Sequence, residues 1–464
     1  MDKITFYDIH MHAFNLSHPA AGAFLRRILR ELGRNLIRFR HLGRTSIIVG
    51  LSLVLAILWA GFAAAYLIPP VRRRVRSLIR KGFDRVRKQM RSALNLLSVL
   101  ENDVGSFFFL MEDCLREKEN PILDDNNELH VGGRTYSEIV LTPLMMDFGY
   151  KGKQPVASTN RKWSYHYDKP AGKPIVEQVV DVFNAIKTYT SAQSTPDLQK
   201  KYPSFAQGTK RVLRIYPFLG LNTANYDANG VRKLLDKYFK DYHGLRDELD
   251  RNVGAFNGDI DSVSSNFFAG IKVYPPLGFD PWPEDTAERE KVTELYAYAS
   301  REQIPITCHG GHGGFRVVTR DEAKALAAIP KWEQVLTDYE NLKLNLAHFP
   351  MNLTERTRRD QTLDLVMRCR NVYVDISCRA TNEKYYRDLA TFLDGLEEDE
   401  RSTLMDHLLF GSDFAVNLMW IESYNRTIAL FSETKALKPE EKLALCSTNP
   451  ARFLFRQPGR AIGA

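Results

Sequence analysis

Eight short apolar runs recur along the chain, with longer stretches of helical spacing between most of them. They read ITFYDIHMH (4–12), IVLTPLMMDFG (139–149), RVLRIYPFLGL (211–221) and FFAGIKVYPPLGF (267–279). IPITCHGGHGG (304–314), LKLNLAHFP (342–350), VYVDISC (372–378) and HLLFGSDFAV (407–416) complete the set. Near-continuous apolar strands, rather than alternating ones, indicate a parallel sheet covered on both faces. Apolar spacing predicts helices over 320–339 and 385–396. YDANG (226–230) reads as a turn, and the Lys-, Pro- and Gly-rich stretch 150–175 as an exposed loop. Eight strand–helix units argue for an α/β protein of the (β/α)8 TIM-barrel type.

One stretch does not fit that rhythm. Residues 13–137 separate the first two strands, far beyond an ordinary strand–helix loop. Three units follow: a first strand (1–12), a helical insertion (13–137) and the remainder of the barrel (138–464). Within the insertion, residues 46–68 carry no charge. As a helix they would extend about 35 Å, enough to cross a bilayer core. A single crossing would put His10 and His12 on the far side from the remaining strands. The run must therefore dip into a membrane and return, pack within a homo-oligomer, or the first strand must complete the sheet differently. The run follows His10 and His12, so it lies too late for an N-terminal signal peptide.

Charge sharpens this picture. The 464 residues carry a net +8, but residues 26–44 hold seven arginines and one acid, and 72–91 hold ten basic residues and one acid. These stretches carry +6 and +9, which leaves −7 for the rest. Their apolar positions keep helical spacing, as in basic helices that lie on anionic lipid. The expectation is a cytoplasmic protein, membrane-associated through residues 20–100. Nucleic acid is disfavoured, because the basic residues bracket an apolar run instead of alternating with aromatic rings. Five cysteines without a CxxC pair fit a reducing compartment.

In a (β/α)8 protein, chemistry gathers at the C-terminal ends of the strands. His10 and His12 end the first run and project to one side of an extended strand. Lys272 lies in the fourth run, His309 ends the fifth, His348 the sixth and Asp413 the eighth. Imidazoles and a carboxylate in those places suit a divalent ion, zinc first, with manganese or iron as alternatives.

These positions resemble the amidohydrolase superfamily: His10-x-His12, His309, His348 and the GSD that ends in Asp413. GIKVYPPLGF and the terminal STNPARFLF are similar to its aminocarboxymuconate-semialdehyde decarboxylase-like branch. The resemblance covers 1–12 and about 138–456. It implies that His10, His12, His309 and Asp413 hold one metal ion. It also implies that Asp413 passes protons between water and leaving group, while His348 hydrogen-bonds water or a carbonyl oxygen. Lys272 would bridge a second metal or touch substrate. Tyr274, His312, Arg316 and Arg379 follow strand ends and are the substrate-contact candidates; arginine there would suit a carboxylate.

The expected activity is metal-dependent hydrolysis of an amide, ester or lactone-like bond in a small molecule. The alternatives are a non-oxidative decarboxylase at the same metal site, or a membrane-bound scaffold with a partner-regulated barrel.

Overall fold

The computed structural model describes residues 4–19, 96–100, 104–116, 122–149, 173–191, 196–202 and 211–456. The uncharged run 46–68, both basic flanks and most of the loop 150–175 lie outside them. Among the described residues, no helix is long and apolar enough to cross a membrane.

The fold is α/β. Its strands are β1 (Ile4–Met11), β2 (Leu129–Val131), β3 (Arg134–Pro143), β4 (Leu213–Ile215) and β5 (Phe218–Gly220). They continue with β6 (Gly270–Val273), β7 (Ile306–Cys308), β8 (Leu344–Leu346), β9 (Val372–Asp375) and β10 (Leu408–Leu409). Each of the eight runs contains strand. β3 pairs in parallel with β1 on one side and β4 on the other. β5 to β10 form a second, wholly parallel ladder in chain order. Parallel bridges connect the two ladders, Leu144 to Phe218 and Met11 to Phe414. Beside the second bridge, Ile9 N donates to the Phe410 carbonyl (3.2 Å) and Asp413 N to the His10 carbonyl (2.7 Å). β1 therefore has a bonded neighbour on each side.

Three expectations change in detail. The stretch 320–339 forms two helices, Arg320–Leu326 and Ile329–Asp338. Pro330 cannot donate a helical bond and sits at the start of the second helix, where none is required. YDANG opens a helix, Ala228–Phe239, because the Asp227 side chain accepts from Gly230 N (2.6 Å) as its N-cap. β2, too short to stand out in the apolar pattern, pairs antiparallel with β3 as a hairpin before the second run.

The helix expected at 385–396 spans Glu383–Asp394 and buries Tyr385, Tyr386, Leu389 and Leu393. In the core, Phe6, Phe410 and Phe431 meet at 4.5–6.3 Å between centroids. Trp332 is fully buried beside Tyr296 and Phe279. Trp332→Ala is expected to cost about 3–5 kcal/mol, through lost burial and the cavity left behind. A urea-unfolding midpoint checks it, and a loss below about 1 kcal/mol would mean that this core collapses around the gap.

A candidate metal centre of histidines and aspartates

β1 delivers His10, which is completely buried, and His12 one residue beyond its end. His309 directly follows β7. His348 lies two residues past β8 and Asp413 four past β10. Both of these last residues have left-handed backbones, φ 69° and 59°. That conformation is uncommon for histidine and better tolerated by aspartate. Donor atoms of His10, His348 and Asp413 lie within 4.8 Å of one another, the only such group of three among the described residues. His12 joins through Asp413, with Nε2 3.2 Å from Oδ1. His309 joins through His348, with Nδ1 3.0 Å from Nε2.

Hydrogen-bond partners decide which nitrogen of each ring carries the proton. His10 Nδ1 is 2.9 Å from a carboxylate oxygen of Asp375. His12 Nδ1 is 2.9 Å from the Leu144 carbonyl, and His348 Nδ1 3.0 Å from the Ser377 carbonyl. These oxygens only accept, so each Nδ1 must donate. A neutral ring then carries its lone pair on Nε2. Burial keeps His10 neutral against the pull of Asp375, and the Lys272 charge adds to that effect. Burial takes His348 down to about 3. With a lone pair on His348 Nε2, His309 must donate from Nδ1 and keep its own lone pair on Nε2.

The result is a concentration of lone pairs. His10 Nε2 and His12 Nε2 face Asp413 Oδ1 at 3.6 and 3.2 Å. For Asp413, burial acts to raise the pKa, but the imidazoles around it, His12 first, hold it well below the usual carboxylate range. With neutral rings no proton separates these atoms, and the arrangement is repulsive without a cation. His10 Nε2 and His309 Nε2 are buried with no hydrogen-bond partner among the described residues. This donor set fits a divalent ion of the nitrogen- and oxygen-liking kind.

Lys272 is buried in β6, where desolvation lowers it to about 8, and its Nζ has no hydrogen-bond partner among the described residues. Tyr274 stacks on the His309 ring at 4.1 Å, and its hydroxyl accepts from Phe315 N. Arg316 is buried in the same loop. His312 faces Arg320, 3.3 Å away, and Arg379 is paired with Glu355 at 2.9 Å. The last two side chains are thus engaged with the loops around the centre.

Residues 249–456 match the family described as amidohydrolase. The matched stretch is somewhat under half of the chain, and over it the sequence is similar to that family. The amidohydrolase stretch holds Lys272, His309, His348 and Asp413, while His10 and His12 come from far outside it. No curated protein matches the chain in sequence.

Among solved structures, a uronate isomerase from Bacillus halodurans is 12% identical, with TM-score 0.39, covering 98% of this chain and 94% of that one. A 5-carboxyvanillate decarboxylase from Novosphingobium aromaticivorans, complexed with manganese and 4-hydroxy-3-methoxy-5-nitrobenzoic acid, is 11% identical. Its TM-score is 0.38, and the match covers 78% of this chain and 83% of that one. A probable 2-pyrone-4,6-dicarboxylic acid hydrolase from Acinetobacter baumannii, with citric acid bound, is also 11% identical. Its TM-score is 0.34, with 68% and 98% covered.

Asp375, outside the set of residues expected at the site, carries the same signal as they do, a polar residue at the end of an apolar strand. It is fully buried and accepts from His10.

Proposed function

We propose that the protein is a metal-dependent hydrolase of a small amide, ester or lactone-like substrate. The observation that carries this reading is the approach of His10 Nε2 and His12 Nε2 to one carboxylate oxygen, Asp413 Oδ1, at 3.6 and 3.2 Å. His10, His12 and Asp413 would hold a divalent ion, joined by His309, whose Nε2 has no hydrogen-bond partner among the described residues. Such an ion acidifies water and polarises a carbonyl oxygen. Asp413, ionised and buried, would accept the proton of the attacking water and return it to the leaving group. His348 Nε2 accepts from His309 Nδ1 in this arrangement, so His348 would hydrogen-bond a water or a carbonyl oxygen only by giving up that contact. Lys272 would face the substrate as a group close to losing its charge.

The strand order, with β1 bonded to both β3 and the residues after β10, supports a closed (β/α)8 barrel around this centre. Residues 13–137 would then be an insertion between its first two strands. The composition of 20–100 supports association with an anionic membrane.

The test is metal removal and restoration. Chelated protein should be inactive toward a panel of amides, esters and lactones, and zinc or manganese should restore activity with water incorporated into the product. Carbon dioxide release from a carboxylate substrate would assign the centre to decarboxylation instead. Full activity after complete metal loss would end the reading.

A further inference from the structure

Asp375 has more hydrogen bonds than a buried carboxylate needs for its own solvation. Its Oδ2 accepts from His10 Nδ1 (2.9 Å) and Asn345 Nδ2 (2.8 Å). Its Oδ1 accepts from His348 N (3.0 Å), Ser377 N (3.1 Å) and the Ser377 hydroxyl. Because that hydroxyl gives its proton to Asp375, its oxygen is left to accept from His348 Nδ1 at 2.9 Å. His348 Nε2 in turn accepts from His309 Nδ1 at 3.0 Å.

From this chain of bonds we infer that Asp375 is the positioning residue of the centre, the group that sets which nitrogen of His10, His348 and His309 carries its proton. The direct bond fixes His10. The bonds to His348 N and to Ser377 hold the backbone turn whose carbonyl fixes His348. The His348–His309 contact passes the constraint to a third ring. The consequence is that the Nε2 lone pairs of His10 and His309 are available together to a metal ion. Without Asp375, His10 can carry its proton on Nε2, where it blocks coordination. Orienting partners of this kind are worth about 10–100-fold in metal affinity.

The inference rests on the metal-centre reading, and one experiment separates the two. Zinc affinity is measured on the full chain by competition with a chromophoric chelator, for wild type, Asp375→Asn and Ser377→Ala. Denaturant unfolding of each metal-free protein runs in parallel. Asparagine keeps the volume of Asp375 but presents an NH2 group either to His10 Nδ1 and Asn345 or to His348 N and Ser377, donor against donor. Asp375→Asn is therefore expected to bind zinc about 10–100-fold more weakly. Ser377→Ala loses the hydroxyl contacts to Asp375 and His348 but keeps Ser377 N, the carbonyl that fixes His348 and the Asp375 bond that fixes His10, so its affinity should fall by at most about threefold, well short of the Asp375→Asn loss.

Wild-type affinity in Asp375→Asn overturns the positioning role and leaves the metal centre standing. Absence of zinc binding in wild type overturns both. Should Asp375→Asn not fold, imidazole 15N spectra of metal-free wild type decide, assigned through single His→Gln variants. Protons on Nδ1 of His10, His309 and His348 support the inference, and protons on Nε2 overturn it.

Discussion

Asp413→Asn is expected to yield a folded protein that has lost its bound metal, with affinity lowered by more than about 100-fold, beyond what outer-shell substitutions cost. Asparagine keeps the shape of the side chain and tolerates the left-handed backbone found there, φ 59°. The main-chain bonds from Asp413 N to the His10 carbonyl and from Asn417 N to the Asp413 carbonyl do not involve the side chain and survive. The new amide can donate to His10 Nε2 or His12 Nε2, which relieves in the metal-free state the repulsion that a cation relieves in the wild type. Metal and activity should vanish together while the unfolding midpoint of the metal-free protein holds or rises. Elemental analysis after gel filtration provides the check. One retained equivalent of metal in Asp413→Asn would remove this aspartate from the centre.

Gly411→Ala is expected to damage the same centre by a steric route. A Cβ at Gly411 would lie 2.6 Å from His10 Cβ, 3.1 Å from Ser377 Cβ and 3.3 Å from His10 N. None of these is the far end of a flexible side chain, so β1 or the residues after β10 must move. Overpacking of this kind typically costs about 1–3 kcal/mol. Because His10 is the group displaced, metal affinity should fall along with stability. Gly313→Ala is the control: a Cβ there meets nothing within 4 Å, and its change should stay within about 0.5 kcal/mol. Paired unfolding curves and metal titrations give the comparison. Equal behaviour of the two variants would show that the close approach of Gly411 to His10 is not a constraint.

Much of this arrangement was readable from the chain because strand ends and chemistry coincide. His10, His309, His348 and Asp413 could be picked out as polar residues closing apolar runs, and coordinates bring them within a few ångströms. Tyr274 and Arg316 were marked by the same rule, and the structure buries both. The rule extends to Asp375, which ends β9 and was overlooked because an aspartate after a strand is also an ordinary turn residue. Tautomers could not be read at all. The partner that fixes His10 lies 365 positions away, and the one that fixes His12 is a backbone carbonyl, which has no signature in the sequence. The helix break at Pro330 and the cap at Asp227 are local effects that apolar spacing outweighed. They shift element boundaries without moving the centre.

The place of β1 between β3 and the residues after β10 has a consequence for biosynthesis. One neighbour follows about 130 positions later and the other about 400. At about 5–20 residues per second, the second arrives some 20–80 s after β1 is made. Throughout that interval a run of buried apolar side chains and one free backbone edge await their cover. The nascent polypeptide therefore depends on its first pairing, or on a chaperone, to shield from aggregation the strand that brings the first two imidazoles.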